Sequence, residues 1–185
     1  MQRKFESIHE VGKEIITNTV RLEGGFVDHP DDPGGATHWG ITESRARGAG
    51  YMGDMADMPE SWALDFYAEH EWFANNYHHI EHIESLVKDV YDFGVNAGQR
   101  YSVKILQRAL NLCNRNGQDW EDLVVDGFLG LKTSRAANSC ICLRGEAHLL
   151  KVLNVGQGRH YWDLAEKKPH LQAFFNGWLS HRVEL

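Results

Sequence analysis

Residues 23–42 read EGGFVDHPDDPGGATHWGIT and interrupt a chain that is otherwise helical in pattern. From Glu23 to Gly40 there are five glycines and two prolines in eighteen residues, a density that is typical of turns. Before this stretch, apolar residues recur with helical spacing between residues 5 and 22. The sequence therefore predicts an amphipathic helix that ends close to Glu23, followed by a turn-rich segment with a small β-hairpin near residues 25–41.

Helical patterns also dominate the chain after this stretch. Thr42 is a suitable N-cap for a short helix that stops at Gly48 or Gly50. Further helices are predicted from the apolar spacing at six places: one opening near Asp57 or Ser61, Ser85–Val95, one after Tyr101, 132–142, 144–155, and a final amphipathic helix through Leu171–Leu179. The predicted fold class is mainly α with one small β-hairpin.

Composition argues against several classes of function. The net charge is −7 and no run of Lys or Arg exceeds two residues, so no nucleic-acid partner is expected. No stretch of eighteen apolar residues exists, so we expect no stable membrane insertion, and the first residues lack the apolar core of a signal peptide. The three cysteines have no paired spacing, which favours a chain made in a reducing cytosol over a disulfide framework.

Glu23, Asp32 and Thr37 are the candidate catalytic residues. Glycoside hydrolysis needs a carboxylic acid to protonate the leaving oxygen and a second group across the sugar. A Glu at the edge of an apolar core suits the first role, because burial disfavours the charged form of a carboxyl group. Asp32 on a polar loop suits the second role, and the Thr37 hydroxyl suits the positioning of a water. The same residue types are also typical of a plain helix end and turn, so residue type alone leaves both interpretations open.

The stretch 23–42 resembles the signature of glycoside hydrolase family 108, which comprises lysozyme-like N-acetylmuramidases, many of them phage endolysins. The family pattern is Glu-Gly-Gly, a spacer, Asp-Pro-Gly-Gly-x-Thr, two residues and Gly-Ile-Thr, and every position is matched here. The resemblance implies a lysozyme-like helical fold with the hairpin near the active site. It places the family's catalytic Glu on Glu23 and its supporting Asp and Thr on Asp32 and Thr37.

Three later segments, 92–100, 104–111 and 126–130, resemble the peptidoglycan-binding domain that follows in this family. They read DFGVNAGQR, KILQRALN and DGFLG. One departure follows the third segment, where Gly130 is followed by Leu131 and the family usually has Gly-Pro. The resemblance implies a lysozyme-like catalytic domain at residues 1–88 and a helical peptidoglycan-binding-like domain at residues 89–185 that packs on the first.

Four further residues are predicted to contact substrate. Gly24 and Gly25 allow a sugar chain to approach the backbone closely. Trp39 either stacks on a sugar ring or belongs to the core. Asn96 either hydrogen-bonds substrate or caps a helix.

A rival site lies at His78, Glu81 and His82, which read H-x-x-E-H. On an α-helix, the two His side chains would share a face and could hold one zinc ion for an amidase or peptidase. Short stretches rich in His and Glu also match such a pattern by accident. We therefore expect no metal and no cofactor.

The resemblance implies hydrolysis of the β-1,4 bond between N-acetylmuramic acid and N-acetylglucosamine in the glycan strands of peptidoglycan. The other rivals are a lytic transglycosylase, which uses one acid and the substrate's own 6-hydroxyl, and a non-catalytic wall-binding module. A wall substrate without a signal peptide predicts a monomeric endolysin that is made in the host cytoplasm. It would act on the cell wall in the periplasm once a holin-type partner opens the membrane.

Overall fold

A computed structural model describes residues 4–28 and 35–183, and the chain divides into two compact units, Met1–Glu81 and His82–Leu185. The structure is 68% helical, with one small antiparallel sheet in its described part, so the predicted mainly α fold with a small hairpin is confirmed. None of the helices in that part is long and apolar enough to cross a lipid bilayer.

The first unit contains three α-helices and the hairpin among its described residues. Its elements in chain order are a 3-10 turn at Phe5–Ser7, α1 (Glu10–Glu23), β1 (Thr37–His38), β2 (Ile41–Thr42), α2 (Glu43–Gly48), α3 (Glu60–Tyr67), a π-helical segment at Ala68–Phe73 and a 3-10 turn at Tyr77–His79. The predicted helix through residues 5–22 is therefore divided, because Ile8 and His9 adopt extended backbone.

The core of the first unit forms where α1 meets α3 and the π-helical segment after it. Ile16, Phe66 and Trp72 are fully buried there. Gly12 allows this packing, because a Cβ at that position would lie 2.6 Å from Trp72 Cζ2. The apolar stripe of α1 ends at Val20, and Leu22 is 87% exposed, so the last turn of the helix projects beyond the core.

The hairpin is short and tightly turned. Thr37 pairs with Thr42 and His38 with Ile41, and the two residues between them both have positive φ, 54° at Trp39 and 72° at Gly40. Two such residues form the kind of turn whose twist matches that of paired strands. The Thr42 side chain accepts a hydrogen bond from the Arg45 backbone N–H at 3.4 Å, which confirms the predicted cap of α2.

The described residues of the second unit contain five α-helices and no strand, with a non-helical stretch at residues 114–130 between the second and the third of them. Its elements are α4 (Glu84–Ala97), α5 (Gln99–Cys113), α6 (Leu131–Arg144), α7 (Glu146–Lys167), a 3-10 turn at Pro169–Leu171 and α8 (Gln172–Arg182). The predicted division of the chain between residues 88 and 89 lies within α4 and stays a prediction.

Helix α7 is much longer than the predicted helix at 144–155. Gly156 and Gly158 are typical of helix ends in a sequence, yet both lie inside α7. The reason at Gly156 is a close approach to α5, because a Cβ there would lie 2.9 Å from Ile105 Cγ2. Glycine at this position therefore serves helix packing rather than helix termination.

Buried polar groups join α7 to α4 in the second unit. Asn154 and Gln157 are both buried, and their side-chain amides donate to the two carboxylate oxygens of Asp89. Cys113 and Cys140 are buried as well, which confirms the predicted core position of Cys113, whereas Cys142 is exposed.

Candidate active site

Glu23 is the last residue of α1, and Gly24 follows it with a φ of 82°. Its side chain lies against the hairpin turn, since a Cβ at Gly40 would come within 2.9 Å of both Glu23 Cβ and Cγ. Glu23 is exposed, so the expectation of an acid shielded at the edge of the core is wrong. The physical reason is that the buried stripe of α1 ends one turn earlier, at Val20.

Tyr67 contacts the same turn. Its hydroxyl donates to the Trp39 carbonyl oxygen at 3.0 Å, and it would lie 2.7 Å from a Cβ at Gly40. Burial and, after it, the negative charge of Glu23 raise the pKa of Tyr67 to about 12, against the opposing effect of Arg45. The phenol therefore stays protonated at neutral pH and remains a hydrogen-bond donor beside the candidate acid.

Arg45 and Glu71 form an ion pair of 2.5 Å in the same neighbourhood. The Arg45 guanidinium also lies over the Phe66 ring, 5.0 Å from its centroid. Both charges act on Tyr67, Arg45 lowering its pKa and Glu71 raising it. Glu23 thus belongs to an electrostatic cluster that contains a second carboxylate and a cation.

The sequence reasoning did not single out Tyr67, Arg45 or Glu71 as site residues. In the sequence, Tyr67 occurs among aromatic residues on one side of a predicted helix, a pattern that does not mark it as a site residue. Arg45 and Glu71 occur in helical segments without a motif. No sequence pattern places Arg45 or Glu71 beside the hairpin. The cluster forms only through the tertiary packing of α2, α3 and the π-helical segment.

Trp39 is held in a backbone conformation that is uncommon for a large side chain. Its indole N–H donates to the Met58 carbonyl oxygen at 3.0 Å, and its ring stacks on His38 with centroids 4.9 Å apart. His38 is itself fixed through Nδ1, which lies 2.6 Å from the Met55 carbonyl oxygen. Together with the hydrogen bond from Tyr67 to its carbonyl oxygen, Trp39 has three fixing contacts, and a strained residue held in this way beside a candidate acid is typical of a preorganised site. Its predicted stacking on a sugar stays a prediction.

Thr37 lies in β1 and is half-buried. Its backbone exchanges two hydrogen bonds of 2.8 Å with Val27, which joins the hairpin to the segment after α1. Asp32, the third predicted catalytic residue, lies outside the described residues. The structure thus places Glu23 and Thr37 in one unit, joined through the hairpin, and their catalytic roles stay predictions.

The predicted substrate contacts divide between the units. An ideal Cβ on Gly24 or Gly25 would meet no atom of residues 4–28 and 35–183 within 4 Å, and the predicted contact of this backbone with substrate stays a prediction. Asn96 belongs to the second unit, is exposed, and donates through Nδ2 to the Asp92 carbonyl oxygen at 2.8 Å. Its predicted contact with substrate stays a prediction.

The H-x-x-E-H segment is not α-helical. Tyr77–His79 form a 3-10 turn, so the helical face on which the zinc argument depends is not formed. Burial lowers the pKa of His78, and its Nδ1 is buried without a hydrogen-bond partner among the described residues. Glu81 accepts a hydrogen bond from the Trp72 indole at 3.3 Å. In the described part of the chain, no group of three or more acidic, His or Cys side chains is arranged to hold a metal ion.

Comparison with known proteins assigns both halves of the chain. Residues 16–98 match the family model for Glycosyl hydrolase 108, and residues 101–183 match the model for a Predicted Peptidoglycan domain. No curated protein matches the chain. The solved structure titled "Structure of Brucella abortus SagA" has a TM-score of 0.55 and 22% sequence identity, and the match covers 91% of this chain and 87% of that one, which shows a shared fold.

The first match includes Glu23, Thr37 and the cluster around Tyr67, and the second includes α6, α7 and α8. Residues 16–98 therefore carry a glycosyl hydrolase 108 domain, residues 101–183 carry a peptidoglycan domain, and the chain is a glycoside hydrolase that degrades peptidoglycan.

Proposed function

We propose that the chain hydrolyses the β-1,4 bond between N-acetylmuramic acid and N-acetylglucosamine, with Glu23 as the proton donor. The observation that carries this proposal is the position of the Glu23 side chain. An exposed carboxyl group at a helix end is held against a strained turn, next to a buried and protonated phenol. An accessible acid of fixed position is what protonation of a glycosidic oxygen requires.

In this mechanism, Glu23 gives its proton to the leaving oxygen while positive charge develops on the sugar. Asp32 stabilises that charge or holds the attacking water, and Thr37 positions the water. The half-buried Trp39 ring presents a fixed apolar surface to the C–H face of a sugar. Such preorganisation lowers the barrier, because the site needs little rearrangement during the reaction.

Product analysis tests the bond that is cut. Purified peptidoglycan is digested with the full chain, and the fragments are analysed by mass spectrometry and by reducing-end assay. We expect reducing N-acetylmuramic acid ends. Reducing N-acetylglucosamine ends would assign the other glycosidic bond, anhydro ends would assign a lytic transglycosylase, and release of free peptides that stops with chelator would assign a zinc hydrolase. Each of the last three results contradicts the proposal.

We further propose that the protein is a monomeric endolysin of the host cytoplasm that reaches the periplasmic wall when a holin opens the membrane. This setting is supported by the resemblance to a family rich in phage endolysins and by the peptidoglycan domain. Expression in bacteria with and without a pore-forming partner tests it. We expect lysis only with the partner, and lysis without it would contradict the proposal.

A further inference from the structure

An open cavity lies between α7 and α8 of the second unit, far along the sequence from the candidate active site. Its volume is about 250 Å³, and it is lined by Trp162, Ala165, Glu166, Gln172 and Phe175. Sites for drug-sized ligands begin at about 300 Å³. The space therefore suits a ligand of the size of a single sugar ring.

The aromatic wall of this cavity is exposed and held in place. Trp162 is 57% exposed. The centroids of the Trp162 and Phe175 rings lie 6.1 Å apart, and the two ring planes are nearly perpendicular, at 85°. A large ring that is open to solvent on one side and braced on the other offers a rigid apolar face. That face matches the C–H face of a pyranose, and its rigidity keeps the entropy cost of binding low.

Polar groups stand beside the apolar wall, as small-ligand sites require. The Glu166 carboxylate and the Gln172 amide line the cavity, and Gln172 Nε2 donates to the Ala165 carbonyl oxygen at 3.4 Å, which orients the amide. Carboxylate and amide oxygens accept hydrogen bonds from sugar hydroxyls and from an acetamido N–H. The negative charge of Glu166 disfavours a ligand that carries its own carboxylate.

From this geometry we propose that the cavity between α7 and α8 binds one N-acetylglucosamine ring of a glycan strand. N-acetylmuramic acid is disfavoured in the strand because its lactyl group and attached peptide exceed a cavity of about 250 Å³, and as a free sugar because it carries a carboxylate. The inference rests on the proposed action on peptidoglycan and names the sugar that the second unit recognises. The match to a peptidoglycan domain spans all five lining residues and supports a wall glycan as the occupant.

Binding is tested on the full chain with Glu23→Gln, so that the glycan is not digested during the measurement. The probes are insoluble purified peptidoglycan, followed by co-sedimentation, and soluble tetra-N-acetylchitotetraose, followed by fluorescence titration. We expect Trp162→Ala to raise the dissociation constant for both probes by roughly tenfold, the scale of a lost aromatic contact. Trp162→Phe keeps an aromatic face and should give a smaller increase.

Phe174→Ala is the matched control, because Phe174 is 58% exposed, lies on α8 and does not line the cavity. It should bind like the parent. Equal binding by Trp162→Ala and the parent, or an equal loss in Trp162→Ala and Phe174→Ala, would overturn the proposal. If Trp162→Ala melts at a lower temperature than the parent, Trp162→Phe and Glu166→Gln decide the question.

Competition with monosaccharides tests the choice of sugar. N-acetylglucosamine should displace the chitotetraose more strongly than N-acetylmuramic acid does, and Glu166→Gln should reduce that difference. Equal competition in both proteins would overturn the assignment to N-acetylglucosamine. These measurements do not depend on cleavage. If the wild-type chain released no reducing ends from peptidoglycan, the proposed function would fail while the binding data still decided the role of the cavity.

Discussion

Two glycines bring backbone and side chains into close approach, Gly40 in the first unit and Gly156 in the second. At Gly40 the neighbours are Tyr67 and Glu23, a hydrogen-bond donor and a candidate acid. At Gly156 the neighbour is the Ile105 side chain of α5, and the contact is apolar. Gly40 also has a φ of 72°, whereas Gly156 lies within α7.

A glycine that permits close approach therefore serves a different purpose in each unit. The approach at Gly40 fixes polar groups beside an open surface, and its disturbance should lower the activity of each folded molecule as well as stability. The approach at Gly156 brings two helices together, and its disturbance should lower stability while the chemistry of each folded molecule is unchanged. Both statements can be tested by small substitutions.

The largest effect is expected from Glu23→Gln, which removes the proposed proton donor while keeping the shape of the side chain. Peptidoglycan hydrolysis should fall by at least about a hundredfold, the usual scale of a lost general acid. The melting temperature should barely change, because Glu23 is exposed. Glu14→Gln makes the same chemical change at an exposed position of α1 and should remain active. Wild-type turnover by folded Glu23→Gln would remove the basis for the mechanism.

Gly40→Ala tests the first half of the comparison. The new methyl group would lie 2.9 Å from Glu23 Cβ, and the backbone would be strained at positive φ. We expect about 1–3 kcal/mol of lost stability and a fall of roughly tenfold or more in hydrolysis, since the acid is displaced. Gly50→Ala is the control: it has a φ of 88°, and its Cβ has no neighbour within 4 Å among the described residues. Equal activity losses in both variants would show that strain alone is responsible.

Gly156→Ala tests the second half. Crowding against Ile105 should outweigh the better helix propensity of alanine, with a net loss of about 1 kcal/mol in urea unfolding. Gly158→Ala provides the contrast in the same helix. Its Cβ would lie 3.5 Å from Val183, an ordinary contact, so stability should rise by up to about 1 kcal/mol. The same sign of change in both variants would contradict a role for Gly156 in packing.

Tyr67→Phe should lower hydrolysis less than Glu23→Gln or Gly40→Ala does. It deletes the hydrogen bond to the Trp39 carbonyl, at a cost of about 0.5–1.5 kcal/mol. Hydrolysis should fall several-fold as the turn loosens. Because the pKa of Tyr67 is raised from 10.0 to about 12, the unfolded chain ionises first, and wild-type stability should decline between pH 10 and 12. Urea unfolding at pH 7 and pH 11 should show a smaller decline for the variant.

The sequence predicted those features that local patterns encode. Glycine density after Glu23 predicted the hairpin, and the residue type of Thr42 predicted the cap of α2. The exposure of Glu23 was not predicted, because spacing alone does not show where the buried stripe of α1 ends. The length of α7 was missed because the close contact at Gly156 depends on a residue fifty-one positions earlier, Ile105.

The three cysteines give the chain a practical chemical property. Burial raises the pKa of Cys140 to about 12, with Cys113 as the next contribution, and a protonated, shielded thiol reacts slowly. Cys142 is exposed on the same helix as Cys140. A maleimide should therefore attach to one position of the folded chain and to all three after unfolding. Cys142 thus offers a single attachment point for a fluorophore or a solid support. It lies within the residues matched to the peptidoglycan domain and outside those matched to the catalytic domain.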